Sequence, residues 1–373
     1  MRALFIILPV LLIIIVIILA YVLDYLIIMN KLKKEDANNI IIKNNTIDFS
    51  SLTLRQKIAQ MIVIYGNKNK NPALTRINIG GIFLDKRTTN QLIRIAISGK
   101  LDKRKDYSSI ISNYQDKSKI KLFVASDMEG AWNPFSSFKN FPRFSEIKNK
   151  EEAYEAGFAE GKLMKELGFN LNFAPVAEFE DKIYRGRAFL GSKKEIKEKL
   201  ESYIKGLQKN VLGTCKHYPG KGMIKNLHLR TDKQEITKED LELFDACFKN
   251  NISAVMIGHQ VVYGEVDSEG KPASVSEEVI DSLDEFEFTG LIVSDEINMF
   301  GLKKFYLFNK RKEYKDLINS GKNVILDFFL TGKSAYKLIL KLEKDVRDGK
   351  IDGRKINESV KKILIAKGYK VKQ

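Results

Sequence analysis

The chemistry in this sequence gathers where short apolar runs end. Ser126-Asp127-Met128-Glu129-Gly130 closes the run KLFVAS, Glu178 follows NLNFAPV, and Lys216-His217 stands near the end of VLGTCKHY. His259 ends SAVMIGH, and Ser294-Asp295-Glu296 ends GLIVSD. The 3 histidines of the chain, His217, His228 and His259, all lie within this region. Carboxylates and a proton-transferring side chain converging from several strand ends are the equipment for splitting a glycosidic bond. One group attacks the anomeric carbon and another carries the leaving-group proton. Asp295 suits the nucleophile. His228 lies in the loop YPGKGMIKNLHLRTD, whose Pro219, Gly220 and Gly222 allow a sharp turn, so it can approach from the other side as acid and then base.

Those residues need a frame that aims several strand ends at one point. The runs IAQMIVIY (58–65), GGIFL (80–84), KLFVAS (121–126), NLNFAPV (170–176), VLGTCKHY (211–218), SAVMIGH (253–259), GLIVSD (290–295) and NVILDFF (323–329) read as strands. They are continuously apolar and alternate with helix-compatible segments such as 151–168 and 193–210, which is the pattern of parallel strands covered by helices. The spacing predicts an α/β fold, a (β/α)8 TIM-like barrel, over a doubly wound sheet, because no GxGxxG follows any strand. Ile356, Val360, Ile363 and Leu364 recur at helical spacing and predict a closing helix near the end.

The 373 residues are 44% hydrophobic and 29% charged, enough for a large core and unlike a disordered chain. Lys and Arg number 63 against 47 Asp and Glu, a net +16 that favours anionic surroundings. The lysines are dispersed along helical stretches and no helix-turn-helix, zinc finger or RNP-like motif occurs, so nucleic acid is not an expected partner. Cys215 and Cys247 sit in no CxxC or Cys/His spacing, which argues against a disulfide scaffold and a structural zinc site. From Ala3 to Val22 the chain carries no charge and suits a bilayer-crossing helix, read here as an uncleaved anchor because no A-x-A-like site follows. The expected organisation is a transmembrane anchor over 1–30, a polar linker over 31–50 and a catalytic barrel over 51–373, acting as a monomer on the outer side of the membrane.

The ordered motifs also resemble a known family. Lys216-His217-Tyr218-Pro219-Gly220-Lys221-Gly222 followed by His228 resembles the KHFPGHG…DxH signature of glycoside hydrolase family 3 β-N-acetylhexosaminidases. ASDMEG is similar to that family's DQEGG segment, LGFNLNFAPVAE to its LGIN.NFAPV.D stretch, RGRAFLGS to its RSFG element, MIGHQ to MxxH, and GLIVSDEINM to GxxxSDDLxM. The resemblance implies a barrel that removes terminal β-linked N-acetylglucosamine with retention, from peptidoglycan fragments or related glycans, through a covalent intermediate on Asp295. It puts His228 at the acid/base position and Asp127, Arg187, Lys216, His217 and His259 at sugar-binding positions, and it implies no metal or organic cofactor. β-Glucosidases and β-xylosidases belong to the same family, and a weakened sugar-binding protein is a further alternative.

Departures from the family pattern are local. Asn226 stands where the family's aspartate orients the loop histidine, and an amide cannot stabilise an imidazolium as a carboxylate does. Lys221 replaces the second histidine of PGHG, and Ala131-Trp132-Asn133-Pro134-Phe135 replaces an arginine-bearing segment, so one basic substrate contact is expected to be missing.

Overall fold

A computed structural model describes residues 12–20, 22–23, 26–27, 30, 39–67, 75, 77–88, 103–130, 132–179, 186–220 and 232–373. Among them, eight parallel strands close into a barrel: β1 (Ile62–Tyr65), β2 (Gly81–Phe83), β3 (Phe123–Ser126), β4 (Leu171–Asn172), β5 (Leu212–Tyr218), β6 (Ala254–Ile257), β7 (Leu291–Glu296) and β8 (Val324–Leu326). Each expected apolar run contains one of them. Strand neighbours follow chain order, and β8 closes on β1 through Ile325 opposite Ile62. Ile62, Val63, Ile82, Val124, Leu171, Val255, Val293 and Ile325 are at most 1% exposed, as strands covered on both faces must be.

The first run divides in two. Thr53 caps the helix Leu54–Gln60 by accepting from the Gln56 amide, while the Gln56 side chain accepts from the Thr53 amide, and β1 starts after Met61. Helices Lys150–Leu167 and Lys193–Leu207 pack closely enough that a Cβ on Gly157 would stand 2.3 Å from the Tyr203 carbonyl oxygen. Their contact props β4 and β5, which carry part of the cavity wall.

The polar stretch expected to act as a linker joins the fold in its second half. Ile42–Lys43 and Thr46–Asp48 form a hairpin, Thr46–Asp48 pairs with Lys370–Lys372, and Ile40 and Ile47 are buried. The closing helix is Gly353–Ala366, with Ile356, Val360, Ile363 and Leu364 buried as expected. Cys215 of β5 and Cys247 of helix Lys238–Lys249 form a disulfide with Cα atoms 6.5 Å apart. Sequence spacing argued against a disulfide scaffold; the packing of that helix on its strand instead produces one fully buried bridge.

The apolar segment 3–22 is described only from residue 12 and in pieces. Its described part is helical, and among the described residues no helix is long and apolar enough to cross a membrane.

Candidate active site

Two irregularities in the barrel ladder decide which side chains reach the cavity. Along β5 and β6, Lys216 faces Met256 but Tyr218 already faces Ile257, so His217 is an extra residue. Along β7 and β8, Val293 faces Val324 and Glu296 faces Leu326, three steps against two. A plain strand sends neighbouring side chains to opposite faces, and a bulge re-aims one of them. Lys216 and His217 therefore line the same cavity, as do Asp295 and Glu296.

That cavity has a volume of about 850 Å³ and opens at the C-terminal ends of the strands. Phe83, Phe173 and Phe328 form an apolar wall, with Phe83 stacked on Phe328 at 4.5 Å and on Phe173 at 6.1 Å. Such a surface suits the C–H face of a sugar ring. The same cavity holds a buried charge cluster. Lys216 Nζ donates to Asp127 Oδ1 at 2.8 Å and also pairs with Glu129, while Arg187 Nε lies 2.6 Å from Glu129 Oε2.

The cluster holds its two carboxylates differently. Burial pushes the Asp127 carboxyl up, Lys216 opposes that, and the nearby Glu129 charge adds to it, leaving a pKa of about 6. Burial would also raise Glu129, but Arg187 and Lys216 outweigh it and hold that carboxyl below its usual range. Lys216 loses stability as a cation through burial and regains more from Asp127 and Glu129, so its pKa is raised.

Asp295 lines the same cavity. Its Oδ1 accepts from the Glu296 amide at 2.7 Å, and its Oδ2 lies 3.9 Å from His217 Nε2. Burial alone would raise its pKa, yet His217 and His259, with the Glu296 amide, bring it below the ordinary value, so it is ionised at neutral pH. His217 Nδ1 is 3.1 Å from Glu178 Oε1. With Glu178 as acceptor, Nδ1 carries the hydrogen and Nε2 is turned to Asp295. The Glu296 carboxyl is tied inward by the Asn298 and Phe328 amides, and burial pushes it up to about 7.

Asp127, Arg187, Lys216, His217 and Asp295 are thus brought together. His259, expected to touch sugar, instead stands one layer behind: Nδ1 is 2.8 Å from Ser274 Oγ and Nε2 is 3.0 Å from the Glu296 carbonyl oxygen. Both ring nitrogens are used in holding the turn after Asp295. Lys221, Asn226 and His228 lie outside the described residues.

The sequence reading named Glu129 and Glu178 only as acids at strand ends, without a role of their own, and missed a rim of Arg87, Trp132, Arg143 and Phe329. Glu129 had a signal, since it follows Asp127 by two positions on one strand end. Arg87 lies in a helical turn over 86–88 and Arg143 just ahead of the short 3-10 helix Phe144–Glu146, and both bring basic groups to the cavity rim. Among the described residues no group of three or more His, Cys, Asp or Glu side chains could hold a metal ion.

A parallel barrel whose strand ends hold one ionised carboxylate facing a buried set of cations and acids is a barrel enzyme equipped for glycosides. Residues 53–366 match the glycosyl hydrolase family 3 N terminal domain, and the chain belongs to that family as a glycoside hydrolase. It is 28% identical over 253 residues to a β-hexosaminidase of Haemophilus influenzae, covering 62% of this chain and 71% of the relative. A β-N-acetylglucosaminidase/β-glucosidase of Cellulomonas fimi is 22% identical over 287 residues, covering 70% of this chain and 50% of the relative. The fold is similar to that of a family 3 β-N-acetylglucosaminidase from Paenibacillus sp. str. FPU-7, with a TM-score of 0.72 and 22% identity over 85% of this chain and 62% of that one.

Proposed function

We propose that this chain is a retaining exo-β-N-acetylglucosaminidase that hydrolyses terminal β-linked N-acetylglucosamine from peptidoglycan fragments or related glycans. The observation that carries the reading is the ionised Asp295 carboxylate at the cavity wall facing the Asp127–Lys216 pair. A sugar on the Phe83, Phe173 and Phe328 surface has its hydroxyls within the cluster's reach, with Asp127 accepting and Lys216 and Arg187 donating. Asp295 then attacks the anomeric carbon as His228 protonates the leaving oxygen, and His228 next deprotonates the water that releases the sugar from Asp295. His217, oriented by Glu178, holds its Nε2 3.9 Å from Asp295, beside the carboxylate that attacks.

The reading places the barrel outside the membrane, tethered by the apolar run 3–22. Leu12, Ile13, Ile14, Ile15, Val16, Ile17, Ile18 and Leu19 are 44–64% exposed, an apolar helical stretch that the described residues leave uncovered. The Cys215–Cys247 bridge supports an oxidising compartment.

The Cellulomonas fimi relative, named for both activities, makes β-glucosidase the second reading. Full-length protein is assayed with aryl β-N-acetylglucosaminide and aryl β-glucoside in parallel, with Asp295→Asn as control. Turnover of the amino sugar alone, lost in Asp295→Asn, is the expected result. Preference for the glucoside overturns the substrate, and turnover of neither by a protein that binds the amino sugar favours a weakened sugar-binding protein.

A further inference from the structure

The chain enters the barrel at the end opposite the cavity. The hairpin over Ile42–Asp48 pairs with Lys370–Lys372, and the hydroxyl of adjacent Tyr369 accepts from the Lys121 amide, just before β3 begins. Lys367 Nζ donates to Gln60 Oε1 at 2.8 Å, just before β1 begins. This small sheet therefore lies at the N-terminal ends of the strands, whereas Asp127, Lys216 and Asp295 stand at the C-terminal ends. Asn39 is already fixed there, its side chain donating to Ser51 and Gln56.

Sixteen residues separate Val22, the end of the apolar run, from Asn39. Fully extended, that stretch reaches at most ~60 Å. The 18-residue flanking helix Lys150–Leu167 alone is about 27 Å long, before the loops at either end of the barrel are added. A chain held by residues 3–22 in a bilayer and by Asn39 at the barrel's lower end sets that end on the bilayer with the stretch slack, and turns the cavity to the bilayer only by running the stretch along the barrel. Charge points the same way. Lys43, Lys117, Lys119, Lys121, Lys370 and Lys372 are all exposed at the lower end, and Asp48 and Asp116 are the acids in those same segments.

We propose that this lysine-rich end rests on anionic phospholipid headgroups and that the cavity opens away from the membrane. The substrates are then glycan termini standing off the membrane, on polymer or as released fragments, and not glycolipids of the anchoring bilayer. The inference rests on reading residues 3–22 as an anchor and goes beyond the proposed reaction.

The test uses full-length protein in vesicles containing phosphatidylglycerol, with an acceptor dye on the lipid headgroups. Because Cys215 and Cys247 are bridged and buried, a donor dye can be placed on Gln373→Cys at the lower end or on Phe305→Cys in the helix that follows β7. Energy transfer from position 373 is expected to exceed that from position 305 at least about threefold, and Lys119→Glu with Lys370→Glu narrows the gap. A β-N-acetylglucosaminyl glycolipid in the same intact vesicles stays uncut until detergent releases it. Equal or reversed transfer, or cleavage of the glycolipid in intact vesicles, overturns the proposal. Failure to float with vesicles overturns the anchor and the orientation together. Loss of turnover on a soluble amino-sugar glycoside with the transfer contrast intact refutes only the proposed reaction and supports the orientation.

Discussion

Glu129→Gln removes the acid that two buried cations share while keeping its shape. Lys216 retains Asp127, but Arg187 loses a carboxylate at 2.6 Å, and both partners of that contact are under 10% exposed. Breaking a buried ion pair from one side costs 3–5 kcal/mol, and the lower end, about 3 kcal/mol, applies because Lys216 remains paired. The second consequence concerns Asp127. Its pKa of about 6 arises from burial, opposed by Lys216 and reinforced by the Glu129 charge. Without that charge Lys216 acts on Asp127 alone, and the pKa falls. In the proposed reaction Asp127 accepts from sugar hydroxyls as a carboxylate, so kcat/KM is expected to decline as pH drops through its pKa in the free enzyme. The acid limb of kcat/KM, expected near pH 6 in the wild type, moves down by roughly one unit in the variant. Urea titration measures the stability change, and kcat/KM on an aryl β-N-acetylglucosaminide from pH 4 to 8 measures the limb. An unchanged unfolding free energy, or a limb that stays or moves up, refutes the assignment of Glu129 as the hub of the cluster.

Two further substitutions probe other parts of the account. Lys322 is fully buried, its amine has no hydrogen-bond partner among the described residues, and burial drives its pKa far down. The unfolded chain binds that proton up to pH ~10.4, so this residue makes wild-type stability rise with pH across the neutral and alkaline range. Lys322→Met is expected to stabilise by on the order of a few kcal/mol at pH 7 and to flatten that slope, read by urea titration at several pH values; a destabilised variant contradicts the reading. Asn226→Asp restores an acid that can stabilise the His228 imidazolium and is expected to raise kcat several-fold, measured on the same aryl glycoside. A fall in kcat shows a loop built around asparagine.

The strands were legible because each is a continuous apolar run ending in polar residues, a signal that depends only on local burial. Boundaries were less so: the helix Leu54–Gln60 hands over to β1 across Met61 alone, and NLNFAPV yields only Leu171–Asn172 as paired strand. The hairpin over Ile42–Asp48 escaped because its partner, Lys370–Lys372, lies at the far end of the chain and both are short and polar. The same holds for Cys215 and Cys247, 32 residues apart and joined only once helix packs on strand. In the site, Asp127, Lys216, His217 and Asp295 were visible as residue types at strand ends. What local sequence does not display is the pair of bulges that turn His217 and Asp295 inward, or the use of both His259 nitrogens behind Asp295.

The central claim is a covalent glycosyl-enzyme on Asp295. Full-length protein treated with a 5-fluoro β-N-acetylglucosaminyl trapping reagent, digested and mapped by mass spectrometry, tests it most directly. The account predicts one glycosyl adduct, on the peptide carrying Asp295, absent in Asp295→Asn. Turnover of the aryl glycoside with inversion and no adduct, or an adduct on another carboxylate, contradicts it.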